Sequence, residues 1–261
     1  MRERIIWLTF ASAVFVVCGT IAVLKTRDAT PSADVQRVAR KYAAALGGPA
    51  RSRNVRTREI HGTFEYRGVG QHGTGQLEMR WKAPSSLVEQ LRGPMGVITR
   101  GYDGTRAWGT HPQRGVRKLS SDEIDEIRLV AALYQPIVIH DRYREPTYEG
   151  RTNVSGREAE VLSAIRHGGK ADRFYFDLVT GLPVQLDVWE EGPEAARQRG
   201  KFYLAHYELD DYRTVDGVAV PFYVRRVRPN STMTFRFTAV RQNVALSDSI
   251  FRDPARRSGS D

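Results

Sequence analysis

Between Arg173 and Trp189, apolar and polar residues alternate in two short runs, RFYFDLV and PVQLDVW, separated by Thr180-Gly181. Side chains on a strand point alternately to its two faces, so Phe174, Phe176 and Leu178 share one face and Val184, Leu186 and Val188 continue it on the returning strand. The other face carries Tyr175, Asp177, Gln185 and Asp187 and is expected to be wet, with the carboxylates in cross-strand ion pairs. Thr180-Gly181 supplies the positive φ that a tight hairpin needs. The device recurs from Lys201 to Leu209 and then through Asp216-Gly217 into VAVPFYVRRV.

The same period of two marks the first half of the chain. Ile60, Gly62, Phe64 and Tyr66 alternate, the glycine-rich GVGQHGTG predicts a turn, and Leu77, Met79 and Trp81 alternate up to Pro84. Strands are expected at Leu87–Leu91, at Val97–Tyr102, after an Asp103-Gly104 turn at Thr105–Gly109, and later at Glu158–Ile165 and Met233–Val240. The basic, aromatic stretch HDRYREPTYEG is assigned no strand.

Two segments break this rhythm. After Ser32, a helix cap, Val35, Val38, Ala39, Tyr42, Ala45 and Leu46 recur at three and four residues until Gly47-Gly48. Ser120-Ser121-Asp122-Glu123 is a capping-box pattern, followed at helical spacing by Ile124, Ile127, Val130, Ala131 and Tyr134 up to Pro136. Strands in long succession with no βαβ alternation predict a mainly β (α+β) fold: one long antiparallel sheet, too twisted to stay flat, curled into an open half-barrel with two covering helices. The second helix is expected to face Phe174, Phe176, Leu186 and Val188 as a lid.

Residues 5–24 hold no charge and lie between Arg2, Arg4 and Lys25, Arg27. About 20 apolar residues match a bilayer core, which predicts one N-terminal transmembrane helix acting as an uncleaved anchor; a cleaved signal is the alternative. Lys and Arg are more numerous after the run than before it, so charge does not set the orientation. The expected divisions are a basic N-terminus at 1–4, the anchor at 5–24, a linker at 25–32, the half-barrel at 33–251 and a disordered tail at 252–261.

A net charge of +10 attracts anions, either nucleic acid or lipid headgroups. The basic residues are spread along the chain and no nucleic-acid motif surrounds YVRRVR at Tyr223–Arg228, so a solvated strand face is preferred to a phosphate track. The single cysteine, Cys18, lies in the apolar run and Val17 precedes it, which argues against a disulfide framework and against lipidation there. There is no G-x-S-x-G, Walker loop, G-x-G-x-x-G after a strand or H-E-x-x-H. The six histidines show no ligand spacing. No enzyme, metal or cofactor is expected.

In order and spacing, four stretches resemble the bacterial lipoprotein-carrier superfamily, the LolA/LolB-like periplasmic carriers and outer-membrane acceptors together with their uncharacterised relatives. These are the helix ending in Leu46-Gly47-Gly48; Gly101-Tyr102-Asp103-Gly104 leading to Trp108; Phe174-Tyr175-Phe176-Asp177 with Thr180-Gly181-Leu182-Pro183; and Asp211-Tyr212-Arg213 with Asp216-Gly217-Val218 and Pro221-Phe222. The resemblance implies a half-barrel whose concave face receives lipid or lipoprotein acyl chains, without catalysis. The expected lining is Phe64, Met79, Trp81, Ile124, Ile127, Val130, Tyr134, Phe174, Phe176, Leu186 and Val188. With the anchor, this predicts a domain held at the bacterial inner membrane and facing the periplasm, or a soluble periplasmic one if the signal is cleaved. The competing reading is an envelope sensor or scaffold that binds a protein partner with the same fold.

Overall fold

The computed structural model describes residues 31–113, 115–119, 123, 124, 127, 143–166, 170–191 and 202–254; the expected anchor, most of the second helix and residues 255–261 lie outside them. Among the described residues, no helix is long and apolar enough to cross a membrane. Helix α1 spans Ala33–Ala45, with Ser32 Oγ accepting from the Val35 N–H at 3.3 Å. It stops at Gly47, whose φ is +106° and whose missing side chain lets the backbone lie against Gly217. A short helix not foreseen from periodicity, α2 (Pro49–Asn54), follows, with its proline in the first turn.

The strands form one antiparallel sheet. They are β1 (Thr57–Gly68), β2 (Gln71–Lys82), β3 (Ser86–Gly93), β4 (Gly96–Tyr102), β5 (Ala107–His111), β6 (Gly115–Lys118), β7 (Tyr143–Val154), β8 (Arg157–Arg166), β9 (Ala171–Asp177), β10 (Pro183–Glu191), β11 (Phe202–Val215), β12 (Val218–Arg228) and β13 (Ser231–Gln242). The order is β6-β5-β4-β3-β2-β1-β13-β12-β11-β10-β9-β8-β7, so β1 and β13 meet in the middle and the sheet stays open between β6 and β7.

Several local expectations are corrected. The turn between β1 and β2 is only Val69-Gly70; Gly73 and Gly75 lie inside β2, where Gly75 leaves room for the Phe64 ring opposite it. The loop after β4 takes four residues rather than two, because the Asp103 carboxylate accepts from the Thr105 and Arg106 N–H groups at 2.8 and 2.7 Å. At Thr180-Gly181 the loop is likewise longer, built on Asp177 accepting from the Val179 and Thr180 N–H groups. The stretch assigned no strand contains most of β7, which pairs with β8 through two register shifts beside the positive-φ residues Glu145 and Gly150. Asp216-Gly217 does form the expected two-residue turn, with both residues at positive φ.

One apolar cluster runs from Leu87 and Tyr102 through Ile60, Phe237 and Phe222 to Leu186, Phe174 and Leu162, joined by Val35 and Val38 of α1. These residues come from β3 and β4 near one edge and from β8 and β9 near the other, and gathering them round one core requires the sheet to curl. The outer face has a separate small cluster, where a 3-10 turn at Asp248–Phe251 packs on Val88 and Trp108 and the Trp108 indole donates to the Phe251 carbonyl at 2.9 Å.

Candidate functional site

The inner face is assembled by register. Leu186 pairs with Phe174 across β9 and β10, Met79 pairs with Ile60 across β1 and β2, and Phe64 pairs with Phe235 across β1 and β13. Met79, Trp81, Phe174, Phe176, Leu186 and Val188 are all buried in the one core cluster, and Phe64 packs against it. Phe176 meets the Tyr42 ring of α1 at 5.2 Å between centroids. Burial pushes the Tyr42 hydroxyl up to about 12. From the second predicted helix, Glu123, Ile124 and Ile127 are helical; Ile127 belongs to the same cluster, 1% exposed, and Ile124 is half-buried. Val130 and Tyr134 lie outside the described residues.

The sequence reading missed the charges set into this face. Glu160 shares the face of Leu162, Glu89 that of Leu87 and Leu91, and Glu190 that of Val188, so a carboxylate standing where the apolar period calls for a hydrophobe was the available signal. Each is buried and held by donors. Glu160 accepts from Arg37 of α1 at 2.9 Å and from the Tyr148 hydroxyl at 3.3 Å. Arg37 thereby holds the Glu160 carboxyl below its ordinary range, against the opposing effect of burial. Glu89 accepts from Arg100 at 2.6 Å. Glu190 accepts from the Tyr207 and Tyr203 hydroxyls at 2.6 and 3.0 Å and from Arg228 Nε at 2.7 Å. Asp172 accepts from the Tyr143 hydroxyl and the Trp189 N–H, both at 3.0 Å.

The outer face is not uniformly wet. Asp187 is buried, with the Tyr175 hydroxyl, the Gln185 amide and His206 Nδ1 each at 2.7 Å, and Asp177 is buried in its own turn. Asp177 keeps a cross-strand ion pair, with Arg157 at 3.6 Å, as expected, whereas Asp187 meets the His206 imidazole across the strands as a hydrogen-bond partner. One histidine, His61, stands with the carboxylates of Glu59 and Glu78, their candidate ligand atoms within 4.8 Å of one another. Glu59 already holds Arg80 at 3.2 Å and Arg241 beside it, so its charge is compensated without a metal. A polar cavity of about 160 Å³ lies beside this group, lined by His61, Gln76, Glu78, Gln90 and Thr238.

An open antiparallel sheet curled round a single apolar face, with a helix packed into it, defines the LolA/LolB-like carrier fold. No family model and no curated protein sequence matches the chain. Solved structures do. A DUF1329 family protein from Desulfovibrio piger superposes with a TM-score of 0.59 at 14% identity, covering 85% of this chain and 98% of that one. A LolA superfamily protein from Nitrosomonas europaea gives 0.56 at 11% identity over 84% and 98% of the two chains. A putative outer membrane lipoprotein-sorting protein domain from Vibrio parahaemolyticus gives 0.54 at 10% identity over 83% and 95%.

Proposed function

We propose that the protein is a binding domain for lipid or lipoprotein acyl chains, tethered to the bacterial inner membrane by residues 5–24 and facing the periplasm. The observation that carries this reading is the apolar cluster shared by the inner face, from Trp81 and Met79 on β2 to Phe174 and Phe176 on β9, in a sheet left open at β6 and β7. Acyl chains need only such a surface, and each methylene withdrawn from water contributes about 0.8 kcal/mol. The chosen ligand is handed on or held, not chemically altered.

To test this, the full-length chain is extracted from membranes in lipid nanodiscs and its bound lipid is determined by mass spectrometry after exchange against acyl probes. Acyl-bearing lipid at near-stoichiometric occupancy, lost in a variant with Leu186→Asp that keeps its circular dichroism, is the expected result. A chain that carries no lipid and takes up no fatty-acid or lipopeptide probe overturns the reading.

A further inference from the structure

Residues 35–58 run from α1 through α2 to the start of β1 and hold seven Lys or Arg and no Asp or Glu. Arg37 and Lys41 are engaged, the first with Glu160 and the second with the Leu178 carbonyl, and Arg58 is buried. Arg40, Arg51, Arg53 and Arg56 are all exposed, and among the described residues none of the four forms an ion pair. On the sheet, by contrast, arginines such as Arg80 and Arg225 lie beside glutamates. The four share one end of the molecule. Helix α1 crosses that end from Glu160, near the β7–β8 turn, past Leu178 in the β9–β10 turn, to Ala219, whose N–H donates to the Leu46 carbonyl at 3.1 Å. Arg40 lies on the side of this helix away from the buried Val35 and Val38. Arg51 rests against Gly217 in the β11–β12 turn. Arg56 stands where β1 begins, its N–H donating to Asn243 Oδ1 at 2.9 Å and its carbonyl accepting from the Ala83 N–H at 2.8 Å, just past the ends of β13 and β2. The opposite end carries the β1–β2 and β3–β4 turns, where Val69 and Met95 are 82% and 70% exposed.

Resting on the tether in the function proposed above, we propose that the α1–α2 end is a membrane-docking surface, and that its partner is the anionic phospholipid headgroups of the tethering bilayer. Chain length and charge both point there. The eight residues between the apolar run and Ala33 span at most about 30 Å even when fully extended, whereas β1 sets the far turns about 36 Å from the α1–α2 end. A bilayer that holds residues 5–24 is therefore nearest the end that carries the four arginines. A guanidinium donates two parallel hydrogen bonds to a phosphate, and it feels the surface charge only within about 8 Å at physiological salt, a distance that docking closes. Seated this way, the turns bearing Val69 and Met95 point away from the bilayer.

The test places a fluorophore on the full-length chain, with Cys18→Ser removing the natural thiol, either at Ala50→Cys on α2 or at Met95→Cys on the far turn. The chain is held in nanodiscs of phosphatidylcholine with or without phosphatidylglycerol, doped with a lipid whose headgroup bears a quenching nitroxide. With phosphatidylglycerol, position 50 is expected to be quenched more strongly than position 95. That excess should disappear without the anionic lipid and in about 0.5 M salt. Replacing three of the arginines together, Arg51→Gln, Arg53→Gln and Arg56→Gln, should lower the ratio of docked to undocked chain about a hundredfold. Quenching at position 95 equal to or above that at position 50 overturns the docking surface. An excess at position 50 that persists without phosphatidylglycerol, or in the triple variant, also overturns it. Both results leave the tether standing, because the chain is still in the disc. A chain that does not stay with the discs overturns the tether and the docking surface together. The comparison of lipids needs no arginine variant, so it decides even if the triple variant fails to fold.

Discussion

On the inner face of the sheet Glu89, Glu160 and Glu190 stand among apolar neighbours, whereas on the outer face Glu59, Glu149 and Glu208 stand among other charges and water. The pairs themselves look alike. Arg228 approaches Glu190 at 2.5 Å with side chains 22% and 7% exposed, and Arg225 approaches Glu208 at 2.9 Å with both about 40% exposed. The difference lies in what surrounds them. A carboxylate on the inner wall has given up its water, so its partners must supply all of its hydrogen bonds, as the two tyrosines and Arg228 do for Glu190. On the outer face water replaces any partner that leaves.

That contrast can be broken at three points. The largest effect is expected at the apolar part of the inner wall: Phe176→Ala removes a buried ring packed on Tyr42 and should cost about 3–5 kcal/mol in urea denaturation. If it costs less than about 1 kcal/mol, the inner face is not a packed core. Next comes the pair of substitutions that compares the two walls directly. Arg228→Met strands a buried carboxylate and should cost about 3 kcal/mol, while Arg225→Met should stay within about 1 kcal/mol. Equal losses would show that the two environments do not differ.

The smallest effect is a pH dependence. Glu160 is held below its ordinary range chiefly by Arg37, so its contribution to stability is complete at neutral pH and is lost as the pH falls through its lowered folded value. Wild-type stability should therefore drop more steeply on acidification below about pH 4.5 than that of Glu160→Gln, with the difference vanishing in strong acid. Parallel denaturation curves for the two proteins across that range would remove Glu160 from the account of how α1 is held.

Much of the fold was legible because its signals are local. Ser32 and Gly47-Gly48 bound α1 by backbone chemistry that needs no partner, and strands such as Leu77–Trp81 alternate cleanly. β7 was not legible, because its two register shifts near Glu145 and Gly150 throw Tyr143 and Tyr148 out of simple alternation although both turn toward the core side. Gly75 misled for a related reason: a glycine in a strand and a glycine in a turn look the same until the aromatic ring opposite it is known. On the inner face, expected hydrophobes such as Met79, Phe174 and Leu186 do lie in the core cluster, whereas the carboxylates beside them were not foreseen. Period-two reasoning assigns charge to the wet face, and only the partners brought by other strands, such as Tyr207 and Arg228 for Glu190, make the exception affordable.

The meeting of β1 with β13 at the centre of the sheet has a consequence for how the chain folds. Strands β1 to β6 form one meander and β7 to β13 another, each made only of neighbours in sequence, so each can zip up locally as it emerges. Among the described strands, the seam between them is the one pairing of such long range: Arg58 meets Gln242, and the Asn243 N–H donates to the Thr57 carbonyl at 2.9 Å. Closing that loop carries the greatest entropic delay, which makes the seam the step that waits for synthesis of the final strand. A circular permutant that starts at β7 and ends at β6 would turn this most distant pairing into an adjacent one, leaving every strand beside its own neighbour in the chain.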